Sequence, residues 1–147
     1  MSSKRALRRR GCTGKRRFET EEAARGIISW DKGPGARAPH KGYIKHQCEF
    51  VVWGTKGPLK PATHGGPWLG CYRHTVIPRL KFHLTGKPVD LMRDLVKITP
   101  PGSRILDPFA GSGTTLLAAR QEGRKAVGIE LSGEYCEVAR KRLKTGP

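Results

Sequence analysis

RILDPFAGSGTTLLAARQEGRKAVGIEL, residues 104–131, is the stretch on which the fold turns. The apolar run Arg104-Ile105-Leu106-Asp107 enters a loop at Pro108 to Gly113, a helix follows from about Thr114 to Glu122, and Gly123 suits its C-terminal end. Lys125 to Leu131 is a second apolar run of strand length. Both runs read as buried strands, and the order strand, helix, strand predicts a parallel pair joined by a right-handed crossover.

Downstream, Ser132 is placed to cap a last helix that buries Tyr135, Val138, Ala139 and Leu143. That helix carries Glu134 and Glu137 early and the basic run Arg140 to Lys144 at its end, which complements the helix dipole. Upstream, Pro88 opens a helix that sets Leu91, Met92, Leu95 and Val96 on one stripe, and Pro100-Pro101-Gly102 stops it. Gly26 to Trp30 and Glu49 to Trp53 are short β-branched and aromatic runs and read as strands. From Gly54 to Gly70 eight of seventeen residues are Gly or Pro, which predicts irregular backbone.

The chain has 147 residues, enough for one modest core, and a formal net charge of +17, which calls for a polyanionic partner, nucleic acid first among them. Residues 1–26 contribute +6, 27–88 +8 and 89–147 +3, so the electrostatic footprint lies in the first two blocks. Residues 33–47 hold Arg37, Lys41 and Lys45 with His40, Tyr43 and His46 and no acid, a composition suited equally to phosphate contact and to a solvated loop. Cys12, Cys48, Cys71 and Cys136 are too scattered for a disulfide framework, and reduced thiols in a cytoplasm fit them best. His46, Cys48, Cys71 and His74 offer one CxxH-type spacing, too little for a zinc site, so no metal is expected. No apolar run reaches the roughly 20 residues of a membrane span.

A strand that turns through glycines into a helix brings backbone N–H groups and a positive helix end to the strand's carboxyl edge, where open α/β sheets bind ligands. Gly111 and Gly113 let a ligand approach the backbone. Glu130, seventeen residues after Gly113, ends the second strand and can accept hydrogen bonds from both hydroxyls of a ribose. The third glycine of a dinucleotide fingerprint is absent, Leu116 standing in its place, and no Lys-Ser or Lys-Thr of a P-loop follows. A glycine turn that packs two elements and holds no ligand is the plainer alternative.

The matching segments FHLTGKPVDLM at 82–92, RILDPFAGSGTTLLAA at 104–119, GRKAVGIEL at 123–131 and Tyr135 to Leu143 resemble the C-terminal part of the DNA methyltransferases that modify adenine N6 or cytosine N4. Residues 26–56 resemble the stretch just before it in the permuted order, with the cofactor half last. The resemblance implies an α/β chain with a partial Rossmann-like S-adenosyl-L-methionine-dependent methyltransferase fold, a mostly parallel sheet with helices. It implies a basic N-terminus over 1–25 and a methyltransferase domain over 26–147, with the strand pair and basic loops at 26–81 and the cofactor-binding part at 82–147. Thr85, Lys87, Pro88, Asp107, Phe109, Ala110, Gly111, Ser112, Gly113, Thr114, Glu130 and Leu131 would bind the cofactor, with Glu130 on the ribose and Thr85 and Lys87 near the methionine carboxylate. Double-stranded DNA would be the partner, through Lys32, Arg37, Lys41, Lys45, Arg73 and Arg79.

The family holds its target amine with Asp, Asn or Ser followed by Pro-Pro and an aromatic residue, after the base has left the stack. That segment occurs nowhere in the 147 residues: Thr99-Pro100-Pro101-Gly102 has glycine for the aromatic, and Asp107-Pro108-Phe109 lacks the second proline. No catalytic residue is therefore assigned. The expectation is a truncated or split module, completed by a second polypeptide with the catalytic half; the alternative is a non-catalytic basic nucleic-acid binder that keeps the fold remnant.

Overall fold

A computed structural model describes residues 22–38, 40–75 and 86–145 of the chain. Thr85, Arg79 and most of the basic N-terminal segment lie outside the described residues. Strand β1, Glu22–Asp31, pairs antiparallel with β2, Cys48–Lys56. Both run further than the apolar clusters suggested, because the ladder continues past Gly26 through a register shift between Ala24 and Gly26. The Arg25 guanidinium at this shift donates to Thr55 Oγ1 at 2.9 Å.

In the stretch expected to be irregular, 54–70, β2 occupies the first three residues and one short helix follows, and a short strand begins just after it. A single helical turn, α1, spans Pro61–His64, and β3, Cys71–Arg73, joins the free edge of β1 in parallel, giving the order β2-β1-β3. Three residues cannot display a period, and β3 owes its existence to the edge of β1 rather than to its own composition.

Helix α2, Val89–Lys97, starts at Pro88 and lays Leu91 on Ile28, Trp30 and Tyr72, with Val51, Trp53, Leu95 and Ile98 packed around them. The Trp30 indole N–H, buried in this cluster, donates to the His74 carbonyl at 2.8 Å, so burial leaves it satisfied. His74 Nε2 lies 2.8 Å from Asp94 Oδ2 and thereby ties β3 to α2. Among the described residues no group of three or more His, Cys, Asp or Glu is placed to hold a metal ion.

The second sheet is the expected parallel pair: β4, Arg104–Asp107, beside β5, Lys125–Gly128, joined through α3, Thr114–Gln121. Helix α4, Gly133–Thr145, follows, and the Ser132 hydroxyl accepts from the Tyr135 N–H at 3.4 Å as an N-cap. Arg124 fastens α2 to this half: its guanidinium donates to the carbonyls of Lys97 and Thr99 at 3.2 and 2.6 Å, satisfying acceptors left open at the end of α2.

The strands are not buried as expected. A Cβ on Gly128 would meet the Leu116 side chain, so Gly128 and Ala126 face α3, while Leu106 and Val127, paired in register on the opposite face, are 64% and 59% exposed. Among the described residues helices cover one face only, and an apolar strand reads the same in sequence whether one face is covered or two. In α4 only Ala139 is buried; Tyr135, Val138 and Leu143 are half-buried, because α4 meets the other described residues along a narrow strip of α3 and the glycine loop before it. No helix of the described residues is long and apolar enough to cross a membrane.

The junction of β1 with its following loop is held by Asp31. Its Oδ1 accepts from Gly33 N at 2.8 Å and Gln47 Nε2 at 2.9 Å, and its Oδ2 from Arg73 Nε at 2.7 Å. The Gln47 bond first, then Gly33 and Arg73, lowers its pKa below the ordinary 3.8. A depressed carboxylate stabilises the fold above its unfolded pKa and ceases to as pH falls through the folded value. Asp31→Asn is therefore expected to lower the melting temperature at pH 7 and to flatten the stability loss as pH falls below the ordinary carboxylate value. Parallel acid limbs for the two proteins in thermal melts would refute the assignment.

Candidate functional site

The β4 carboxyl edge turns into α3 through Asp107 to Gly113, and one side-chain and two backbone acceptors set the shape of that turn. Asp107 Oδ1 accepts from Phe109 N at 3.0 Å, Ala110 N donates to the Ile129 carbonyl at 2.9 Å, and Gly113 N donates to the Ala110 carbonyl at 2.8 Å. The loop is thus laid against the end of β5, where Glu130 stands. Its Oε2 accepts from Gly111 N at 2.7 Å and its Oε1 from Ser132 N at 2.9 Å. Glu130 also lines the cavity in front of the loop, and a carboxylate is an acceptor for hydroxyl donors.

The two loop glycines have different reasons for being glycine. Both are left-handed, with φ +52° at Gly111 and +78° at Gly113. A Cβ on Gly111 would meet nothing within 4 Å, and Gly111 lines the cavity in front of the loop. A Cβ on Gly113 would lie 2.9 Å from the Ala139 Cβ, so that glycine lets α4 close on the loop. Gly113 is buried and outside the lining, so of the two glycines Gly111 is the one that faces the cavity.

The cavity has a volume of about 390 Å³, within the range of small-molecule sites. Of the twelve residues expected to hold a cofactor, Lys87, Asp107, Phe109, Ala110, Gly111, Ser112, Thr114 and Glu130 line it. Pro88 and Leu131 do not. Pro88 is spent as the start of α2, its carbonyl accepting from Met92 N at 3.2 Å. Leu131 is fully exposed, because β5 ends at Gly128 and the chain has already turned toward α4.

Gly86, Met92, Thr115 and Tyr135 complete the wall. Tyr135 and Met92 were read as core from their helical spacing; an aromatic in the first helical turn after the strand-ending acid was the available sign. Thr114 and Thr115 sit at the N-terminus of α3, where the helix dipole presents partial positive charge.

Lys87 is the cation of the cavity, and its position has a visible cause. Its ammonium bonds Glu49 Oε2 at 2.8 Å and lies 5.5 Å from the Trp30 ring centroid. Lys32 bonds the other oxygen, Oε1, at 3.2 Å. Burial opposes ionisation of Glu49, but the bonds from Lys87 and Lys32 outweigh it and bring its pKa below the ordinary 4.5.

The sequence also understated Arg142, read only as a complement to the helix dipole. Its Nη1 reaches the Ser112 carbonyl at 2.7 Å, Ser112 Oγ at 3.0 Å and Thr114 Oγ1 at 3.2 Å, and burial lowers its pKa while leaving it a cation. Ser112 is itself buried. Arg142→Ala is expected to cost about 2 kcal/mol in urea denaturation, since Ser112 loses a charged partner. It should also speed hydrogen exchange at the α3 N-terminus; an unchanged denaturation midpoint would count against the clamp.

Of the cations expected to contact DNA, Arg37, Lys41 and Lys45 are exposed on the loop between β1 and β2. Arg73 pairs with Asp31 yet keeps its side chain 77% exposed. Lys32, at the stem of that loop, has its side chain 15% exposed and its ammonium on Glu49.

Three comparisons bear on the site. The family model described as DNA methylase matches residues 8–141. The Type II methyltransferase M2.DpnII of Streptococcus pneumoniae is 34% identical over 133 residues, covering 80% of this chain and 50% of that protein. The Type II methyltransferase M.XycI of Xanthomonas campestris pv. cyanopsidis is 46% identical over 105 residues, 69% of this chain and 34% of that protein. The crystal structure of the M1.HpyAVI-SAM complex superposes with a TM-score of 0.69 at 32% identity, covering 83% of this chain and 63% of that one. The chain spans half the length of M2.DpnII and a third of M.XycI.

Proposed function

Since this chain belongs to the DNA methylase family, we propose that it is the S-adenosylmethionine-holding part of a DNA methyltransferase acting on the exocyclic amine of adenine (N6) or cytosine (N4). The observation that carries this is the convergence on one cavity of an acid, a cation and a helix N-terminus: Glu130, Lys87 and the start of α3. The donor set fits the cofactor. Glu130 would accept from the ribose hydroxyls, Lys87 and the first turn of α3 would face the methionine carboxylate, and Phe109 and Tyr135 would flank the rest. Thr85, which precedes Gly86 in the wall, belongs to the same proposed set. When bound, the cofactor supplies an electrophilic methyl group on a sulfonium.

These residues bind and orient; none of them holds the target amine. The proline-aromatic segment that would do so does not occur in the 147 residues, and in this reading the base-holding groups would be supplied by a joined segment or a second polypeptide. The exposed Leu106, Val127 and Ile129 face is the surface such a segment would cover. Residues 26–147 act as one unit in this reading, with the basic loops of its first part directed at duplex DNA.

Calorimetric titration of the purified chain with S-adenosylhomocysteine tests the cofactor assignment: a saturable one-to-one isotherm is expected, and no heat would remove it. Labelled methyl transfer to unmethylated DNA tests the division of labour, because turnover by the chain alone would overturn it.

A further inference from the structure

The loop from Lys32 to Gln47 is closed in tiers. Lys32 N donates to the Gln47 carbonyl at 2.8 Å, His46 N to the Arg37 carbonyl at 3.0 Å, and Lys45 Nζ to the Pro34 carbonyl at 2.6 Å. At its root the Asp31 carboxylate takes Gly33 and Gln47. The stem is thereby held, and what it holds outward is apolar. Tyr43 is 67% exposed and Ile44 90% exposed. The Tyr43 N–H donates to the His40 carbonyl at 3.3 Å, and the His40 ring meets the Tyr43 ring edge-on at 5.5 Å, which fixes the direction of the aromatic side chain.

A single exposed apolar side chain is ordinary. Two in sequence at the apex of a pinned loop, with Lys41 and Lys45 on either side, Arg37 at the stem and no acid from 32 to 48, form a specific pattern: an apolar point in a cationic collar. A protein partner would have to offer an apolar pocket rimmed with acids. Duplex DNA offers both parts at once, phosphates outside and stacked bases within, and side chains of this kind enter base steps in proteins that distort the duplex.

We infer that Tyr43 and Ile44 form a wedge that enters the DNA base stack, while Arg37, Lys41 and Lys45 hold the flanking phosphates. The inference rests on the DNA-methyltransferase reading, under which the target base must leave the stack and a gap remains. The wedge fills such a gap. Its placement suits this role, because Lys32 at the stem shares Glu49 with Lys87 in the cavity wall, so a duplex held by the loop lies against the side of the molecule that carries the cavity.

Two duplexes of one sequence, one fully paired and one with an abasic site beside 2-aminopurine, provide the test. The unaltered chain is expected to bind the abasic duplex roughly 10-fold more tightly and to change the 2-aminopurine fluorescence, since an aromatic ring stacks where a base is missing. Y43S/I44S should lose that preference and keep its salt-dependent affinity for the paired duplex and its melting temperature. K41Q/K45Q should weaken binding to both duplexes alike and reduce the salt slope by about two. Equal affinity of the unaltered chain for the two duplexes, or a preference that survives Y43S/I44S, overturns the wedge, as does absence of duplex binding. Titration of the same preparation with S-adenosylhomocysteine separates the cases: heat with no abasic preference sinks the wedge alone, and no heat sinks the cofactor reading.

Discussion

Glu130→Ala is expected to weaken S-adenosylhomocysteine binding by about 100-fold or more in calorimetric titration. Hydrogen bonds to a charged acceptor contribute about 1.5–3 kcal/mol each, and two ribose hydroxyls together reach about 3 kcal/mol, which is roughly two decades of affinity. The substitution also strands the Gly111 and Ser132 amides, which the two carboxylate oxygens hold at 2.7 and 2.9 Å, so the loop keeps only its backbone ties to the end of β5, the Ala110–Ile129 bond among them. Glu130→Gln separates these roles. Its amide oxygen can still accept one of the two backbone bonds, so loop order should largely survive while the charge-assisted ribose contact is lost. An affinity for Glu130→Ala within about threefold of the parent would show that the ribose is held elsewhere.

Gly113→Val is expected to remove about 3–5 kcal/mol of stability, through two costs at one position. The φ of +78° is disfavoured for any residue with a Cβ by about 1–2 kcal/mol, and more for a β-branched one. The added carbon would then stand 2.9 Å from the Ala139 Cβ and 3.4 Å from its Cα, where α4 must move because backbone cannot yield cheaply. For a chain of this size the melting temperature should fall by roughly 10 °C or more. Gly111→Ala is the paired control. At φ +52° with open space around it, the substitution should cost about 1–2 kcal/mol in stability and act mainly on cofactor affinity, because the new methyl projects beside the cavity. A Gly113→Val protein as stable as Gly111→Ala would contradict the packing role.

The acid at the end of β5 and the glycines before α3 were legible because their roles are set by the local chain: a strand, a tight turn and a helix start follow within 27 residues of one another. Lys87 was legible through the resemblance, but the reason it stands in the cavity was not. Glu49, which anchors it, is 38 residues away on β2, and nothing in the neighbourhood of either residue announces the pair. Arg142 escaped for the same reason: its partners in the glycine loop are 28 to 30 residues upstream, and a basic residue near a helix end already had a sufficient explanation.

Taken alone, the sequence determined the parallel β4–α3–β5 unit, the helices on either side of it, the acidic strand end and the basic loop, because periodicity, glycine placement and charge are properties of neighbours along the chain. Tertiary structure alone decided which lysines are bound to Glu49 and which stand exposed on the loop, which glycine lines the cavity and which faces α4, and that Leu106 and Val127 stand exposed. These outcomes depend on which distant segment occupies the space beside each residue, and side chains of identical composition are sorted by that neighbour into wall, clamp or open surface.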